Sequence, residues 1–278
     1  MDFLMEVAEL EKSLSASDII PVDVRFQLND PEAGRSAYEK SHIPGAVYLD
    51  LKEDLSGKAE QHGGSHPLPD REKLAGKLGN LGIAQDTTVV IYGESNDMFS
   101  ARCLWLFRHL GHEKAYILDG GWSEWVKQEN KVTTEIPNYS PKTFTLGQPK
   151  EDTVDISDVK QKVSEESAVL IDSRARERYL GKTEPLYEKA GHIPGAKNYF
   201  WKEVLDDEGN WKSLKELEHH FSDLPKDEEI IVSCGSGVSA CPNVLALKQA
   251  GFKNVKLYHG SFSDWISYED NPVEKGGE

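Results

Sequence analysis

Residues 19–25 read Ile-Ile-Pro-Val-Asp-Val-Arg, and residues 168–174 read Ala-Val-Leu-Ile-Asp-Ser-Arg. Each stretch is a short apolar run that ends in Asp-x-Arg, and each predicts a buried strand. The two stretches lie about one domain length apart. We therefore predict that the chain contains two related halves, because a repeat at this spacing indicates an internal duplication.

A second motif supports the duplication. The sequence His-Ile-Pro-Gly-Ala occurs at 42–46 and again at 192–196. Proline and glycine predict a tight turn at both places, before the next short strand. Tyr-Glu-Lys precedes the motif in both halves, which aligns Tyr38 with Tyr187.

The remaining apolar runs alternate with helical segments in the same order in both halves. The predicted elements are strand 88–92, helix 100–110 and strand 115–118 in the first half, and strand 229–233, helix 239–250 and strand 255–258 in the second. This alternation favours a mainly parallel sheet with helices on both faces. We predict an α/β protein with domains at 1–130 and 153–278, joined by a linker at 131–152 that has little helical periodicity.

Composition limits the classes of function. The 278 residues carry a formal net charge of -16, and such a negative field repels nucleic acid and anionic membrane surfaces. An acidic N-terminus and the lack of any apolar window of about 18 residues predict neither a signal peptide nor a membrane span, so we expect a cytoplasmic protein. Three cysteines, Cys103, Cys234 and Cys241, argue against a disulfide framework; we expect Cys103 and Cys241 to pack within helices.

The loop Cys-Gly-Ser-Gly-Val-Ser-Ala at 234–240, between a predicted strand and a predicted helix, carries the chemistry. Its glycines let several backbone N–H groups point at one spot, and the helix N-terminus adds partial positive charge, which suits a thiolate or a persulfide. We predict that Cys234 is the nucleophile. We expect the loop to bind the substrate through Gly235, Gly237, Val238 and Ser239. The alternative is that Cys234 is a small, inert residue of the core.

The first half lacks this loop. Gly93 stands at the position of Cys234, and the acidic residues Glu94 and Asp97 follow it. Their charges would oppose a bound anion. We therefore predict that only the second half is catalytic.

These motifs together resemble the tandem-domain rhodanese sulfurtransferases over nearly the whole chain, including Gly-Ser-Phe-Ser-Asp-Trp at 260–265. The resemblance implies two rhodanese-like domains and transfer of sulfane sulfur through a Cys234 persulfide, without a metal or an organic cofactor. Within the family, the Cys-Gly-Ser-Gly-Val loop is similar to that of 3-mercaptopyruvate sulfurtransferases. Members that prefer thiosulfate, the alternative donor, carry basic residues in the loop.

Two arginines follow the second Asp-x-Arg strand. Arg174 is matched by Arg25 in the first half, which favours a structural pairing with a buried carboxylate. Arg178 aligns with Asn29, so this cation belongs to the catalytic half alone and is a candidate to grip a substrate carboxylate by a forked contact. The alternative is an ordinary surface arginine.

The resemblance matches Arg178 to a substrate-binding arginine of the 3-mercaptopyruvate enzymes and implies a second such arginine shortly before the second His-Ile-Pro-Gly-Ala motif. This chain offers Lys182, Tyr187 and Lys189 there, in a shorter segment. We take Lys182 as a weaker candidate for contacting the donor.

The resemblance further implies a relay in which Ser236 of the cysteine loop works with His66 and Asp54 of the first half. Such a relay would supply a proton to the enolate that remains when sulfur departs, or would orient the thiolate. The alternative is that His66 is an ordinary histidine of a surface loop.

Three rival functions are weighed against sulfur transfer. A phosphatase would need arginine where the loop has Ala240, and a zinc protein would need clustered ligands that the sequence does not offer. A non-enzymatic sulfur-binding module is the third. We expect a monomer that takes sulfur from a small anionic donor and passes it to a thiol, cyanide or thioredoxin.

Overall fold

The computed structural model describes residues 2–15, 18–148 and 150–277, which form two compact units. The first unit comprises Met1–Gly57, Pro69–Lys150 and Asp207–Trp211, and the second comprises Lys58–Leu68, Glu151–Asp206 and Lys212–Glu278. Among the helices described, none has the length and apolar character needed to cross a membrane.

The first unit is built around a five-stranded parallel sheet. Its elements are β1 (Leu4–Met5), α1 (Val7–Ser13), β2 (Ile19–Asp23), α2 (Ala33–Lys40), β3 (Val47–Tyr48), α3 (Arg71–Asn80), β4 (Thr88–Tyr92), α4 (Met98–His109), β5 (Ala115–Leu118) and α5 (Gly121–Lys127). The strand order is β1-β5-β4-β2-β3.

The second unit repeats this plan. Its elements are β6 (Thr153–Val154), α6 (Ile156–Glu165), β7 (Val169–Asp172), α7 (Arg176–Tyr179), β8 (Lys197–Asn198), a 3-10 helix (Trp201–Val204), α8 (Leu214–His220), β9 (Ile230–Ser233), α9 (Cys241–Gln249), β10 (Val255–Tyr258) and α10 (Ser261–Trp265). The strand order β6-β10-β9-β7-β8, again all parallel, matches the first sheet position for position.

This architecture confirms the predicted α/β fold with two related halves. The central strands β4 and β9 are almost wholly buried, which explains their continuous apolar sequences. Two helices begin at other residues than the sequence predicts. Helix α4 begins at Met98 because the Asp97 carboxylate caps it by accepting the N–H groups of Phe99 and Ser100, and α9 begins at Cys241 because the cysteine loop extends through Ala240.

The predicted alignment of Tyr38 with Tyr187 is wrong. Tyr38 stacks on His42 with ring centroids 4.1 Å apart, and Tyr179 stacks on His192 in the same way at 3.8 Å. Each histidine Nδ1 lies 2.7 Å from the carbonyl oxygen of its tyrosine. Tyr179 is therefore the counterpart of Tyr38, and Tyr187 has none.

The same correction moves Arg178. It precedes Tyr179 as Ala37 precedes Tyr38, so its counterpart is Ala37 rather than Asn29. Tyrosine and histidine are 13 positions apart in the second half and four in the first. The second half therefore contains additional residues between them, and we call residues 180–191 the insertion.

Two segments bear on the predicted domain boundaries, which stay a prediction. The expected linker is hydrogen-bonded to the first unit: Thr133 and His42 exchange backbone hydrogen bonds of 2.9 Å, and the Gly147 N–H donates to Leu110 at 2.8 Å. Residues 58–68, which we call the 58–68 segment, lie in the second unit although they precede the linker in sequence.

Candidate active site

Cys234 directly follows β9, at the carboxyl end of the central strand of the second sheet. Its side chain is buried, with the residue only 1% exposed. The Gly237 N–H donates to Cys234 Sγ at 3.1 Å, as expected of a loop that holds an anionic sulfur. Gly237 has a φ of 79°, and a Cβ there would collide with the His259 carbonyl oxygen, so the loop requires glycine at this position.

The other predicted loop residues surround this turn. Gly235 and Val238 are buried, whereas Ser236 and Ser239 are partly exposed. A Cβ added to Gly235 would lie 2.9 Å from the Tyr187 hydroxyl, which shows how closely that tyrosine approaches the loop. Substrate binding by these residues stays a prediction.

Ser261, at the start of α10, holds the cysteine from the opposite side. Its hydroxyl oxygen accepts the Cys234 N–H at 3.0 Å and lies 3.9 Å from Cys234 Sγ. The hydroxyl also donates to the Tyr258 carbonyl oxygen at 2.8 Å. Sequence reasoning missed this residue, although the change from Gly121 in the first half to Ser261 in the second was a visible signal.

Four charged side chains, Asp172, Arg174, Arg178 and Glu184, form a compact group that we call the charge cluster. Arg174 pairs with Asp172 at 2.6 Å and with Glu184 at 3.1 Å, which confirms its predicted structural pairing. Arg178 donates to Glu184 from Nη2 at 2.7 Å and from Nε at 3.2 Å. Two positive charges thus face two negative ones, and the cluster carries no net charge.

The charge cluster lies within electrostatic range of the nucleophile. Burial disfavours the charge of Arg174, yet Asp172 and Glu184 together raise the pKa of its guanidinium above the ordinary value. The neighbouring Cys234 contributes to the same rise. Arg174 and Cys234 therefore interact electrostatically within the second unit.

Arg178 is not presented as a free cation. The edge of its guanidinium formed by Nε and Nη2 is taken by Glu184, whose side chain is only 2% exposed. A forked grip on a substrate carboxylate through that edge requires Glu184 to yield. Lys182, the weaker candidate, pairs with Glu177 at 3.2 Å, and both side chains are largely exposed. Substrate contacts for Arg178 and Lys182 stay predictions.

The predicted pairing of His66 with Ser236 is present in the second unit. His66 Nδ1 lies 3.0 Å from Ser236 Oγ. The 58–68 segment is fixed on α10 by hydrogen bonds from the Gly63 N–H to Asp264 at 2.8 Å and from the Ser65 N–H to Ser263 at 3.0 Å. These contacts support a relay, whose role in proton transfer remains a prediction.

Asp54 belongs to the first unit. Its carboxylate accepts the Asp50 N–H at 2.9 Å and pairs with Lys77 at 3.1 Å. These contacts account for its burial, and its part in the relay stays a prediction. Cys103 and Cys241 lie fully buried within α4 and α9, as expected for packing residues.

The loop of the first half is filled by its own carboxylate. Asp97 accepts hydrogen bonds from the N–H groups of Glu94, Phe99 and Ser100. A Cβ at Gly93, where the second half has Cys234, would collide with this carboxylate. The backbone N–H groups of the first loop therefore already donate to Asp97, and the loop has no room for a thiol.

The geometry defines a class of protein: a duplicated α/β enzyme in which one half holds a buried cysteine sulfur in a strand-to-helix loop. The family model of the rhodanese-like domain matches residues 6–128 and 155–268. The chain belongs to the rhodanese family. It is a sulfurtransferase, acting between a sulfur donor and a sulfur acceptor.

Relatives with different donors are similar to this chain. A probable 3-mercaptopyruvate sulfurtransferase of Pseudomonas aeruginosa is 37% identical, covering 98% of both chains. A thiosulfate sulfurtransferase of Cricetulus griseus is 34% identical over 95% of this chain and 91% of its own. The crystal structure of SseA, a 3-mercaptopyruvate enzyme of Escherichia coli, superposes with a TM-score of 0.83 at 32% identity, covering 94% of this chain and 99% of that one.

Proposed function

We propose that this protein transfers sulfur from 3-mercaptopyruvate to a thiol or cyanide through a persulfide on Cys234. The observation that carries the proposal is the buried Cys234 sulfur, 3.1 Å from the Gly237 N–H and beside a charge cluster with no net charge. Similarity to 3-mercaptopyruvate sulfurtransferases from two bacteria adds support.

The neutral charge cluster favours a singly charged donor. 3-Mercaptopyruvate with a protonated thiol carries one negative charge, whereas thiosulfate carries two. The cost of transferring an ion from water into a buried site grows with the square of its charge, so the dianion costs roughly four times as much. A site without surplus positive charge offsets that cost poorly. Thiosulfate therefore ranks second.

The first half-reaction conserves atoms and charge. The Cys234 thiolate attacks the donor sulfur, the S–S bond forms, and the C–S bond breaks with its electron pair moving onto the donor carbon as an enolate. The proton that was on the donor thiol moves to that carbon, which gives pyruvate and a Cys234 persulfide anion. Ser236 and His66, 3.0 Å apart, are suited to carry this proton.

In the second half-reaction, the acceptor attacks the outer sulfur. Cyanide leaves as thiocyanate, and a thiol leaves as its own persulfide, while Cys234 returns as a thiolate. Two separate half-reactions predict ping-pong kinetics. Thioredoxin as the acceptor, a monomeric state and a cytoplasmic location belong to the same proposal.

The test compares steady-state sulfur transfer to cyanide from 3-mercaptopyruvate and from thiosulfate. We expect a higher kcat/KM for 3-mercaptopyruvate, loss of all transfer in Cys234→Ser, and a mass increase of one sulfur atom on the wild-type chain after donor treatment. Cys103→Ala, a change at a buried cysteine of the first unit, should retain transfer. Preference for thiosulfate would overturn the donor assignment, and transfer by Cys234→Ser would overturn the nucleophile.

A further inference from the structure

The insertion distinguishes the catalytic half from its duplicate. It follows α7 and is longer than its equivalent in the first half, where only residues 39–41 stand between Tyr38 and His42. Two of its side chains turn back toward the cysteine loop: Glu184 enters the charge cluster, and Tyr187 lies against Gly235. A segment lengthened only where the nucleophile is present is a candidate for a role in the reaction.

Tyr187 is held at the rim of the cysteine loop by several contacts. Its ring packs edge-on to Phe262 with centroids 6.2 Å apart, and Arg178 lies 5.6 Å from the ring centroid. Ser65 and Ser263 lie close enough to its hydroxyl to influence its pKa. The hydroxyl therefore lies beside Gly235, the residue that follows Cys234, with the 58–68 segment and α10 close by.

The phenol retains its proton in this position. Burial raises the pKa of Tyr187 above its ordinary value, and the nearby Cys234 raises it further. Ser65 and Ser263 partly oppose this shift. The hydroxyl thus remains a hydrogen-bond donor throughout the neutral and mildly alkaline range.

Glu184 makes the Tyr187 hydroxyl more important as a hydrogen-bond donor to a ligand. Because it occupies the Nε and Nη2 edge of Arg178 and one nitrogen of Arg174, neither guanidinium presents that part of its surface to a ligand. A small sulfur donor that approaches Cys234 then meets the neutral Tyr187 hydroxyl of the insertion. Hydrogen bonds to a charged partner are stronger than those between neutral groups, so this hydroxyl can orient a carboxylate.

We infer that Tyr187 determines donor specificity: its hydroxyl donates a hydrogen bond to the carboxylate of the α-keto acid whose sulfur Cys234 attacks. This inference rests on the proposed function and adds the group that recognises the donor. It assigns Tyr187 to the donor half-reaction alone, because the acceptor attacks after the carboxylate product has left.

The experiment measures the two half-reactions separately in the wild type and in Tyr187→Phe. Pyruvate release in a single turnover reports the donor step. For the acceptor step, the persulfide enzyme is prepared with saturating donor, freed of it, and mixed with cyanide. Tyr199→Phe serves as the control, because Tyr199 lies in the same unit and its ring packs against Phe221.

We expect Tyr187→Phe to raise the concentration of 3-mercaptopyruvate needed for half-maximal rate by about tenfold, the loss of one hydrogen bond to a charged group. The cyanide step and the Tyr199→Phe enzyme should match the wild type. An unchanged donor requirement, or equal slowing of both steps, would overturn the inference. Equal slowing would mean that Tyr187 shapes the cysteine loop.

Failure of the proposed donor gives a different pattern. If the wild type prefers thiosulfate, the 3-mercaptopyruvate assignment fails, and the same comparison is made with thiosulfate. A donor-step defect confined to thiosulfate would then retain Tyr187 as the specificity residue but would overturn its pairing with a carboxylate. No defect with either donor would overturn the role of Tyr187 altogether.

Discussion

The Ser261 hydroxyl oxygen accepts the Cys234 N–H at 3.0 Å and lies 3.9 Å from the Cys234 sulfur. Ser261 makes these contacts with a φ of 53°, in the left-handed region, where its counterpart Gly121 has a φ of 58°. A residue other than glycine costs about 1–3 kcal/mol in such a conformation. The strain is present in the half that carries the thiol, which suggests that the hydroxyl is retained for function.

The first prediction separates strain from chemistry at Ser261. Ser261→Gly and Ser261→Ala both remove the hydroxyl, but only glycine relieves the backbone strain. We expect each variant to lose about tenfold in kcat/KM, because a hydrogen bond near the anionic sulfur is lost. The Ser261→Gly variant should unfold at a higher temperature than the Ser261→Ala variant, with a free energy of unfolding greater by about 1 kcal/mol.

Thermal unfolding and sulfur transfer to cyanide are measured on the same preparations. If the hydroxyl mattered for stability alone, activity would follow stability, and Ser261→Gly would be clearly more active than Ser261→Ala. Equal activities at unequal stabilities are the expected result.

The second prediction concerns the contact of 3.0 Å between His66 and Ser236. If the two side chains act as one relay, replacing either should cost nearly as much as replacing both. We expect His66→Ala, Ser236→Ala and the double variant to lower kcat with 3-mercaptopyruvate by similar factors. Steady-state kinetics of the four enzymes completes the cycle. Factors that multiply in the double variant would show that the residues act independently.

Much of this site was predictable from local sequence. Cys234 and its loop follow directly from residues adjacent in the chain, and the duplication exposed Gly93 as the vacant position in the first half. The pairing of His66 with Ser236 required the family resemblance, because 170 positions separate the two residues.

The insertion was hidden by a chance recurrence of three residues. Tyr-Glu-Lys precedes the His-Ile-Pro-Gly-Ala motif in both halves, so the sequences align without showing that Tyr179 is the partner of His192. The stacking geometry shows that Tyr179 is the counterpart of Tyr38. Glu184 and Tyr187 therefore belong to the insertion of the second half. Buried ion pairs such as that of Glu184 with Arg174 depend on tertiary folding and leave no periodic signal.

The third prediction tests whether the 58–68 segment must dock on α10. Gly64 has a φ of 88°, and a Cβ there would lie 2.5 Å from the Gly260 carbonyl oxygen. Gly63 has a φ of 93°, but a Cβ there would meet nothing within 4 Å. A side chain at either position would therefore strain the backbone, but only a side chain at Gly64 would also clash with Gly260.

We expect Gly64→Ala to displace the segment, separate His66 from Ser236 and lower kcat to the level of His66→Ala. Gly63→Ala should keep more of the activity, since strain alone costs about 1–2 kcal/mol there. Kinetics with 3-mercaptopyruvate, with circular dichroism to verify folding, distinguishes the two. Equal loss in both variants would show that strain, and not docking against Gly260, controls the segment.

The fourth prediction follows from the balanced charges of the charge cluster. Glu184→Gln removes one negative charge next to Arg174 and Arg178 and leaves a surplus of one positive charge beside Cys234. A unit charge at this range contributes about 1–3 kcal/mol to the binding of an anion, and a dianion gains more than a monoanion. We expect the KM for thiosulfate to fall more than the KM for 3-mercaptopyruvate, by about tenfold in their ratio.

Glutamine keeps a hydrogen-bond acceptor for both arginines, so the variant should fold, with a free energy of unfolding lowered by about 1–3 kcal/mol. Glu124→Gln is the matched control, because Glu124 pairs with Lys127 on the surface of the first unit. Its KM ratio should equal that of the wild type, since exposed pairs contribute little. A ratio unchanged in Glu184→Gln would mean that donor charge is not sensed at the charge cluster, and the ranking of 3-mercaptopyruvate above thiosulfate would then lose its electrostatic basis.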